Sequence, residues 1–244
     1  MIEHGDPDLV VVGNVAGSTN PEWQYVLEKK LNYKSYPEVI AEYFCKDDNI
    51  VCAGTYGKTT TAALLSWIFL QVREDISYMF GGLSLNGIDA AYISDARPDF
   101  SLGIFEGDEY KTSRTDTRAK FVHYKPTFVV LTGVEWDHAD VYKTAEDYKR
   151  AFIDLVKMVP AEKNNTGAVV ACIDNQNVRE IIEHADAQII TFGKDEAADY
   201  WYSGITQTAE GLKFNIHSRN KTYEITAPIM GEYNVQNITG AFAI

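Results

Sequence analysis

Short runs of β-branched and apolar residues alternate with longer segments of helical periodicity through most of the chain. The runs that predict strands cover residues 9–12, 50–53, 76–80, 100–105 and 127–132. Helical spacing of apolar positions covers residues 21–30, 36–44, 58–72 and 145–158. A further strand, helix and strand are predicted at 169–173, 178–184 and 188–192. This alternation predicts an α/β fold with a mostly parallel sheet flanked by helices.

The pattern changes after residue 199. Residues 200–207, 212–217 and 222–227 alternate apolar and polar side chains over short stretches separated by turn residues. They predict a small antiparallel subsheet packed against the main sheet. Helical spacing resumes at Gly231 and continues to the last residue, Ile244. A chain that stops within a helix reads as a truncated one.

The residues between the second predicted strand and its helix have the composition of a phosphate-binding loop. Gly54-Thr55-Tyr56-Gly57-Lys58-Thr59-Thr60-Thr61 follows a buried strand and opens a helix. Backbone N–H groups at such a turn can bind phosphate, and the helix dipole favours an anion there. Lys58 would contact the outer phosphates and Thr59 would bind Mg²⁺. Cys52 occupies the position of the first glycine in the usual P-loop pattern, and a helix that simply begins with a solvated lysine is the alternative.

Two later strands end in polar residues that suit the same site. Glu106 follows the strand at 100–105, and His138 follows the strand at 127–132. In open parallel sheets, ligands bind beyond the carboxyl ends of the strands. If these two strands and the strand before the glycine loop are neighbours, four residues converge on one crevice: Lys58, Thr59, Glu106 and His138. The hydroxyl, the carboxylate and the imidazole could hold Mg²⁺. Taken singly, Glu106 could be a solvated strand end and His138 a structural hydrogen-bonding residue.

Composition and charge narrow the classes of function. The 244 residues carry a formal net charge of -13 without a basic tract, which argues against nucleic acid or an anionic membrane as a partner. No apolar run approaches the length of a membrane span. The three cysteines are too few and too scattered for a disulfide framework or a zinc site, which fits a reducing cytoplasm. Nothing in the sequence predicts an oligomeric state.

Four motifs in order resemble the signatures of the Mur ligase family. Gly54–Thr61 resembles its ATP-binding loop, which uses this shortened glycine spacing. Glu106–Tyr110 and Glu135–His138 resemble the second and third signatures, and Gly231–Asn237 is similar to the turn that contacts adenine. The segments 8–14, 20–22, 108–110 and 120–124 are closer to the branch that adds a whole peptide to UDP-N-acetylmuramate than to the branch that adds L-alanine.

The resemblance implies a domain division and a reaction. Residues 1–47 would be the end of an N-terminal UDP-sugar-binding domain, and residues 48–244 the central ATP-binding domain, with the C-terminal domain absent. ATP would activate the muramyl carboxylate as an acyl phosphate, which the amine of a peptide or amino acid attacks. The fragment alone is expected to bind nucleotide but not to complete the ligation.

The resemblance also assigns roles to residues. Lys58, Glu106 and His138 would be catalytic, with Thr59 and Glu106 on one Mg²⁺ and Glu106 and His138 on a second. Asn234 and Asn237 would bind the adenine edge. The residues expected to contact the nucleotide are therefore Gly54, Thr55, Gly57, Lys58, Thr59, Thr60, Asn234 and Asn237.

Three residues depart from the family pattern, and two other functions stay open. Tyr56 and Tyr233 each occupy a position where histidine is usual, and Gly107 one where alanine is usual. None of the three is a predicted phosphate or metal ligand. Arg114, Arg118 and Lys120 could contact the anionic sugar substrate or form a solvated face. The alternatives are the L-alanine-adding ligase and a nucleotide-binding module without catalysis.

Overall fold

A computed structural model describes residues 7–72, 76–94, 101–162, 165–219 and 221–244. The strands in chain order are β1 (Val10–Val12), β2 (Tyr33–Ser35), β3 (Asp48–Ala53), β4 (Ile76–Met79), β5 (Ala91–Tyr92), β6 (Leu102–Gly107), β7 (Phe128–Leu131), β8 (Ala161–Glu162), β9 (Asn165–Thr166), β10 (Ala168–Cys172), β11 (Gln188–Gly193), β12 (Tyr200–Thr208), β13 (Gly211–Ser218) and β14 (Lys221–Ala227). The α-helices are α1 (Pro21–Lys29), α2 (Tyr36–Tyr43), α3 (Lys58–Val72), α4 (Ala145–Lys157), α5 (Gln176–Ile182) and α6 (Tyr233–Phe242), and a 3-10 helix spans Lys120–Tyr124.

The main sheet confirms the predicted α/β class. Its strand order is β14-β13-β12-β11-β10-β7-β3-β6-β4-β5. The pairs from β12 through β4 are parallel, and β3 lies between β6 and β7. The carboxyl ends of β3, β6 and β7 therefore meet at one edge of the sheet. The strand expected at 100–105 is observed from Leu102, and residue 100 lies outside the described part of the chain.

The strands at the centre of the sheet are covered on both faces. Successive residues of β3 alternate between two apolar clusters, with Val51 in one and Cys52 in the other. Phe152 of α4 belongs to the first cluster and Leu65 of α3 to the second. A strand buried on both faces becomes a continuous apolar run, which is the pattern of 50–53. Cys52 is fully buried, as its place in that run predicts.

The antiparallel strands β12, β13 and β14 extend the main sheet. The prediction of short alternating strands at 200–227 is confirmed, but their expected placement as a subsheet packed against the main sheet is wrong. β12 pairs in parallel with β11 through Phe192–Tyr200 and Gly193–Trp201, so the three strands continue the same hydrogen-bonded sheet. Helix α6 covers them, and its Val235 packs in a cluster with Phe214 and Ile216.

The N-terminal segment forms its own two-stranded parallel sheet from β1 and β2. The side chain of Asn20 caps α1 by accepting a hydrogen bond of 3.0 Å from the Trp23 N–H, as its position before Pro21 predicts. Helix α2 places Ile40 in the main apolar core. The proposed domain boundary after residue 47 stays a prediction. None of the described helices is long and apolar enough to cross a membrane.

Candidate functional site

The loop between β3 and α3 requires glycine at both of its glycine positions. Gly54 has φ of 139°, and a Cβ there would lie 2.3 Å from the hydroxyl oxygen of Thr132. Gly57 has φ of 82°, and a Cβ there would lie 2.3 Å from Oδ1 of Asn237. Glycine adopts positive φ at little cost, and its single hydrogen leaves room for these close neighbours, whereas any larger side chain would be strained and would clash. The loop is therefore held tightly between β7 and α6.

Residues after β7 brace this loop. The Thr132 hydroxyl donates to the carbonyl of Tyr56 at 2.5 Å, and the Thr55 N–H donates to the carbonyl of Gly133 at 2.6 Å. The Thr55 hydroxyl donates to the carbonyl of Glu135 at 2.8 Å. The ring of Tyr56 itself is 69% exposed. The Tyr56 backbone is thus held by the hydrogen bond to its carbonyl, whereas its exposed ring does not hold it in place.

Thr59 and Glu106 meet beside the loop. The Thr59 hydroxyl donates to Oε1 of Glu106 at 2.8 Å, and the Gly81 N–H donates to Oε2 at 2.6 Å. Thr59 is the second residue of α3, and Glu106 lies near the end of β6, the strand adjacent to β3. The Thr59 hydroxyl and the Glu106 carboxylate meet because β3, which leads into α3, and β6 are neighbouring parallel strands that end at the same edge of the sheet. This neighbourhood is the one expected from the sequence.

A second carboxylate, Glu109, lies at the centre of the site. It is fully buried, and its Oε1 lies 3.3 Å from Nζ of Lys58, 3.1 Å from Nε2 of His138 and 3.0 Å from the hydroxyl of Tyr148. Its Oε2 accepts no hydrogen bond, although Nζ of Lys58 is 3.1 Å away. The hydroxyl of Tyr142 donates to the Glu109 carbonyl. Sequence reasoning did not place Glu109 among the site residues.

His138 reaches the site from a strained backbone position. Its φ is 56°, in the left-handed region that side chains other than glycine rarely adopt, and its N–H is held by the Asp137 carboxylate at 2.7 Å. The prediction grouped His138 with Glu106, whereas the ring nitrogen contacts Glu109. Within the described ranges, no group of three or more His, Cys, Asp or Glu side chains is placed to hold a metal ion. The metal role of His138 stays a prediction.

The acidic centre also changes the ionisation of the tyrosines around it. Burial, and then the Glu109 carboxylate, raise the pKa of Tyr148 well above its usual range. The same two causes raise the pKa of Tyr142. Burial raises the pKa of Tyr36 on α2, with further contributions from Glu106 and Asp108. The hydroxyls of Tyr142 and Tyr148 stay protonated at neutral pH, as their donation of hydrogen bonds to Glu109 requires.

The two asparagines predicted to bind adenine lie in the first turns of α6. Both are buried, at 4% exposure each. Asn237 donates to Oδ1 of Asn234 at 3.1 Å, and Asn234 donates to the carbonyl of Met230 at 2.7 Å. Oδ1 of Asn237 faces Gly57 of the loop. The structure therefore brings Asn237 to the loop, while the adenine role of the pair stays a prediction.

A cleft of about 210 Å³ opens beside the loop. Its walls come from the loop, from the ends of β7 and β10, and from α6: Tyr56, Thr132, Gly133, Glu135, Asp174, Asn175 and Gln236. Thr60 lies on α3 and is half-buried. The cleft is the concave surface adjacent to the predicted phosphate loop.

Two of the three basic residues considered for substrate binding pair with neighbouring acids. Arg118 contacts Asp116 at 2.6 Å, and Lys120 contacts Asp108 at 2.7 Å. Arg114 instead lies beside Gly17 of the N-terminal segment. The side chain of Arg118 is 66% exposed, and a contact between any of these three residues and the sugar substrate stays a prediction.

Comparison with known proteins identifies the family of the chain. The Mur ligase middle domain matches residues 52–244 of the chain. The chain belongs to the Mur ligase family. The segments that resemble its signatures, Gly54–Thr61, Glu106–Tyr110 and Glu135–His138, contact one another in the fold: Thr59 contacts Glu106, and Lys58 and His138 contact Glu109.

Particular Mur ligases resemble this chain over most of its length. It is 31% identical over 239 residues to the UDP-N-acetylmuramate–L-alanyl-γ-D-glutamyl-meso-2,6-diaminoheptandioate ligase of Haemophilus influenzae, which covers 97% of this chain and 50% of that relative. It is 36% identical over 157 residues to the ligase of the same name from Escherichia coli, covering 64% of this chain and 34% of the relative. The chain spans at most about half the length of these two relatives.

A solved structure of a ligase of this kind has a similar fold. The UDP-N-acetylmuramate:L-alanyl-γ-D-glutamyl-meso-diaminopimelate ligase from Neisseria meningitides superposes with a TM-score of 0.81 at 28% identity. The match covers 97% of this chain and 72% of that one.

Proposed function

We propose that this chain is the nucleotide-binding part of an ATP-dependent ligase that joins a peptide or amino acid to the carboxylate of UDP-N-acetylmuramate. The contact between Thr59 and Glu106, beside a loop that only glycine fits at two positions, carries the proposal. The similarity to ligases that act on UDP-N-acetylmuramate supports this substrate and favours a whole peptide as the second one. A role in peptidoglycan recycling and a cytoplasmic location are part of the proposal.

The roles proposed for the chain follow from the chemistry of phosphoryl transfer. Backbone N–H groups of Gly54 and of residues 57–60 would bind phosphate at the start of α3, and Lys58 would contact the outer phosphates. The Thr55 N–H is not among these donors, because it donates to the carbonyl of Gly133. An oxygen of the muramyl carboxylate attacks the γ-phosphorus, and ADP leaves. The amine then attacks the acyl carbon, and phosphate leaves. Asn234 and Asn237 would contact the adenine, with the cleft beside the loop available for the nucleoside.

The residues present fit Mg²⁺. Two oxygens, Oγ1 of Thr59 and Oε1 of Glu106, are 2.8 Å apart next to the loop, and Mg²⁺ prefers one or two protein oxygens together with substrate phosphates and waters. Bound there, Mg²⁺ would neutralise charge on the phosphate oxygens during transfer. His138 is the proposed ligand of a second ion.

Product analysis of the complete protein that contains this chain tests the proposal. Labelled UDP-N-acetylmuramate is incubated with ATP, Mg²⁺ and either the tripeptide L-alanyl-γ-D-glutamyl-meso-diaminopimelate or L-alanine. We expect amide product, ADP and phosphate with the tripeptide. Product with L-alanine alone would favour the L-alanine-adding ligase, and product with neither would contradict the proposed reaction.

The alternative of a nucleotide-binding module without catalysis is separated by Glu106→Ala in the same complete protein. If the protein is a ligase, we expect ATP turnover to fall sharply in this variant, because the carboxylate beside Thr59 is lost. Turnover equal to that of the parent would exclude the proposed role of Glu106.

A further inference from the structure

We propose that Glu109 is a positioning residue that holds both Lys58 and His138 in the orientation the nucleotide site uses. The inference rests on the proposed function, because it assigns Glu109 a task only if Lys58 contacts phosphate. Three side chains from three different elements meet Oε1 of one fully buried carboxylate: Lys58 of α3, His138 after β7 and Tyr148 of α4. Burying a carboxylate is unfavourable unless it has charged or hydrogen-bonding partners, and these three side chains are the partners that stabilise Glu109 in the interior.

For Lys58, the contacts decide where its remaining hydrogen points. An ammonium group has three N–H donors. One is directed at the carbonyl of Thr55, 3.2 Å away, and one at Glu109, 3.3 Å away. These two contacts fix the group on the loop and leave one donor for a ligand. Glu109 therefore holds a flexible side chain in a single position before the nucleotide arrives.

For His138, the contact decides which ring nitrogen is available. An ionised carboxylate only accepts hydrogen bonds, so Nε2 of His138 must carry the proton that it shares with Glu109. In the neutral ring Nδ1 then keeps its lone pair, and Oδ1 of Asp137 lies 3.7 Å from it. Histidine ligands of metal ions commonly donate their other ring N–H to a carboxylate in this way, which orients the ring. Glu109 thus presents His138 through Nδ1.

The connection extends to the loop through Tyr148. Its hydroxyl lies 3.0 Å from Glu109 and 3.0 Å from the hydroxyl of Thr55, which in turn contacts Glu135. Tyr148→Phe removes only this link and leaves Lys58 and His138 on Glu109. It is therefore the matched control for a change at Glu109.

The first test is a double-mutant cycle on Mg²⁺-dependent ATP affinity, measured by calorimetry on the chain. We expect Glu109→Gln to weaken ATP binding about tenfold, since charge-assisted hydrogen bonds are at stake, and to leave AMP binding unchanged. Removing a negative charge would by itself tighten ATP binding, so weakening must act through position. In a Lys58→Met background the same change should have less than about a twofold effect. Tyr148→Phe should change ATP affinity less than about threefold.

The outcomes separate this inference from the proposed function. If the parent chain binds no ATP, the proposed function fails and the inference with it. If the parent binds ATP but Glu109→Gln leaves its affinity unchanged, or weakens ATP and AMP equally in both backgrounds, the positioning role is wrong. Glu109→Asp keeps the charge but shortens the side chain, and it should weaken ATP binding as Glu109→Gln does. If Glu109→Gln does not fold, Glu109→Asp replaces it in the experiment.

A second readout concerns His138 alone. Proton NMR of the nucleotide-free chain should show a ring N–H of His138 that exchanges slowly with water, assigned by its loss in His138→Gln. We expect Glu109→Asp to abolish this signal while the other resonances of the folded protein stay dispersed. A signal that persists unchanged in Glu109→Asp would show that Glu109 does not hold the ring.

Discussion

The hydroxyl of Thr59 donates a hydrogen bond of 2.8 Å to the carboxylate of Glu106, although 47 residues separate them in the chain. The bond joins the first turn of α3 to the end of β6. The second carboxylate oxygen is held by the Gly81 N–H, so both oxygens of Glu106 have partners. A metal ion or a phosphate entering this site meets a carboxylate whose orientation is already set.

Glu106→Gln should remove most of the effect of Mg²⁺ on nucleotide binding. The neutral amide keeps the size of the side chain but loses the charge that attracts the ion. We expect the gain in ATP affinity on adding Mg²⁺ to fall at least about tenfold, measured by calorimetry with and without a chelator. Glu146→Gln, a change of an exposed glutamate on α4, should retain the full gain. Equal gains in both variants would contradict the Thr59–Glu106 metal site.

Gly57→Ala should lower the unfolding free energy by more than the cost of placing alanine at a positive φ. Gly57 and Gly87 both have positive φ, 82° and 73°, but only Gly57 would place a Cβ against another residue, Asn237. Gly87→Ala is therefore the matched control, with an expected loss of about 1 kcal/mol in unfolding free energy. Gly57→Ala should lose at least about 1 kcal/mol more, because the added atom overlaps the asparagine. Denaturant unfolding measures both, and equal losses would exclude the Asn237 contact.

Thr132→Val should destabilise the loop, whereas Tyr56→His should not. The Thr132 hydroxyl donates to the Tyr56 carbonyl, and its removal leaves that acceptor without this donor, at a cost of about 1–3 kcal/mol. The exposed ring of Tyr56 is not part of this contact, so Tyr56→His should change stability by less than about 0.5 kcal/mol. Thermal unfolding compares the two. A larger loss for Tyr56→His would show that the ring supports the loop.

The protein should lose stability in alkaline solution through its buried tyrosines. The pKa values of Tyr124, Tyr142 and Tyr148 are raised, chiefly by burial. Above about pH 10 the unfolded chain loses these protons while the folded protein keeps them. The unfolded state then binds fewer protons, so the unfolding free energy falls as pH rises.

Denaturant unfolding at a series of pH values, with phenolate absorbance as a second observable, measures this loss. Tyr148→Phe should be less stable at neutral pH but should depend less steeply on alkaline pH. An unchanged dependence on pH in Tyr148→Phe would show that this hydroxyl does not contribute.

Local sequence patterns predicted the elements well because they depend on neighbouring residues. The apolar run at 50–53, the helix starting at Pro21 behind Asn20 and the helix at 145–158 are all observed within a few residues of their predicted bounds. The strand ends at Glu106 and near His138 also predicted a shared edge. That inference depended only on the strands being neighbours, and the observed order confirms it.

The sequence by itself determined the α/β alternation, the glycine loop with Lys58 and Thr59, and the position of Glu106 at the end of a strand. Only the tertiary structure decided that Lys58 pairs with Glu109, that His138 contacts Glu109 rather than Glu106, and that Asn237 lies against Gly57. It also decided that β12 continues the main sheet. The physical reason is that periodicity and turn chemistry are properties of short segments. Contacts across tens of residues instead depend on strand order, which no single segment encodes.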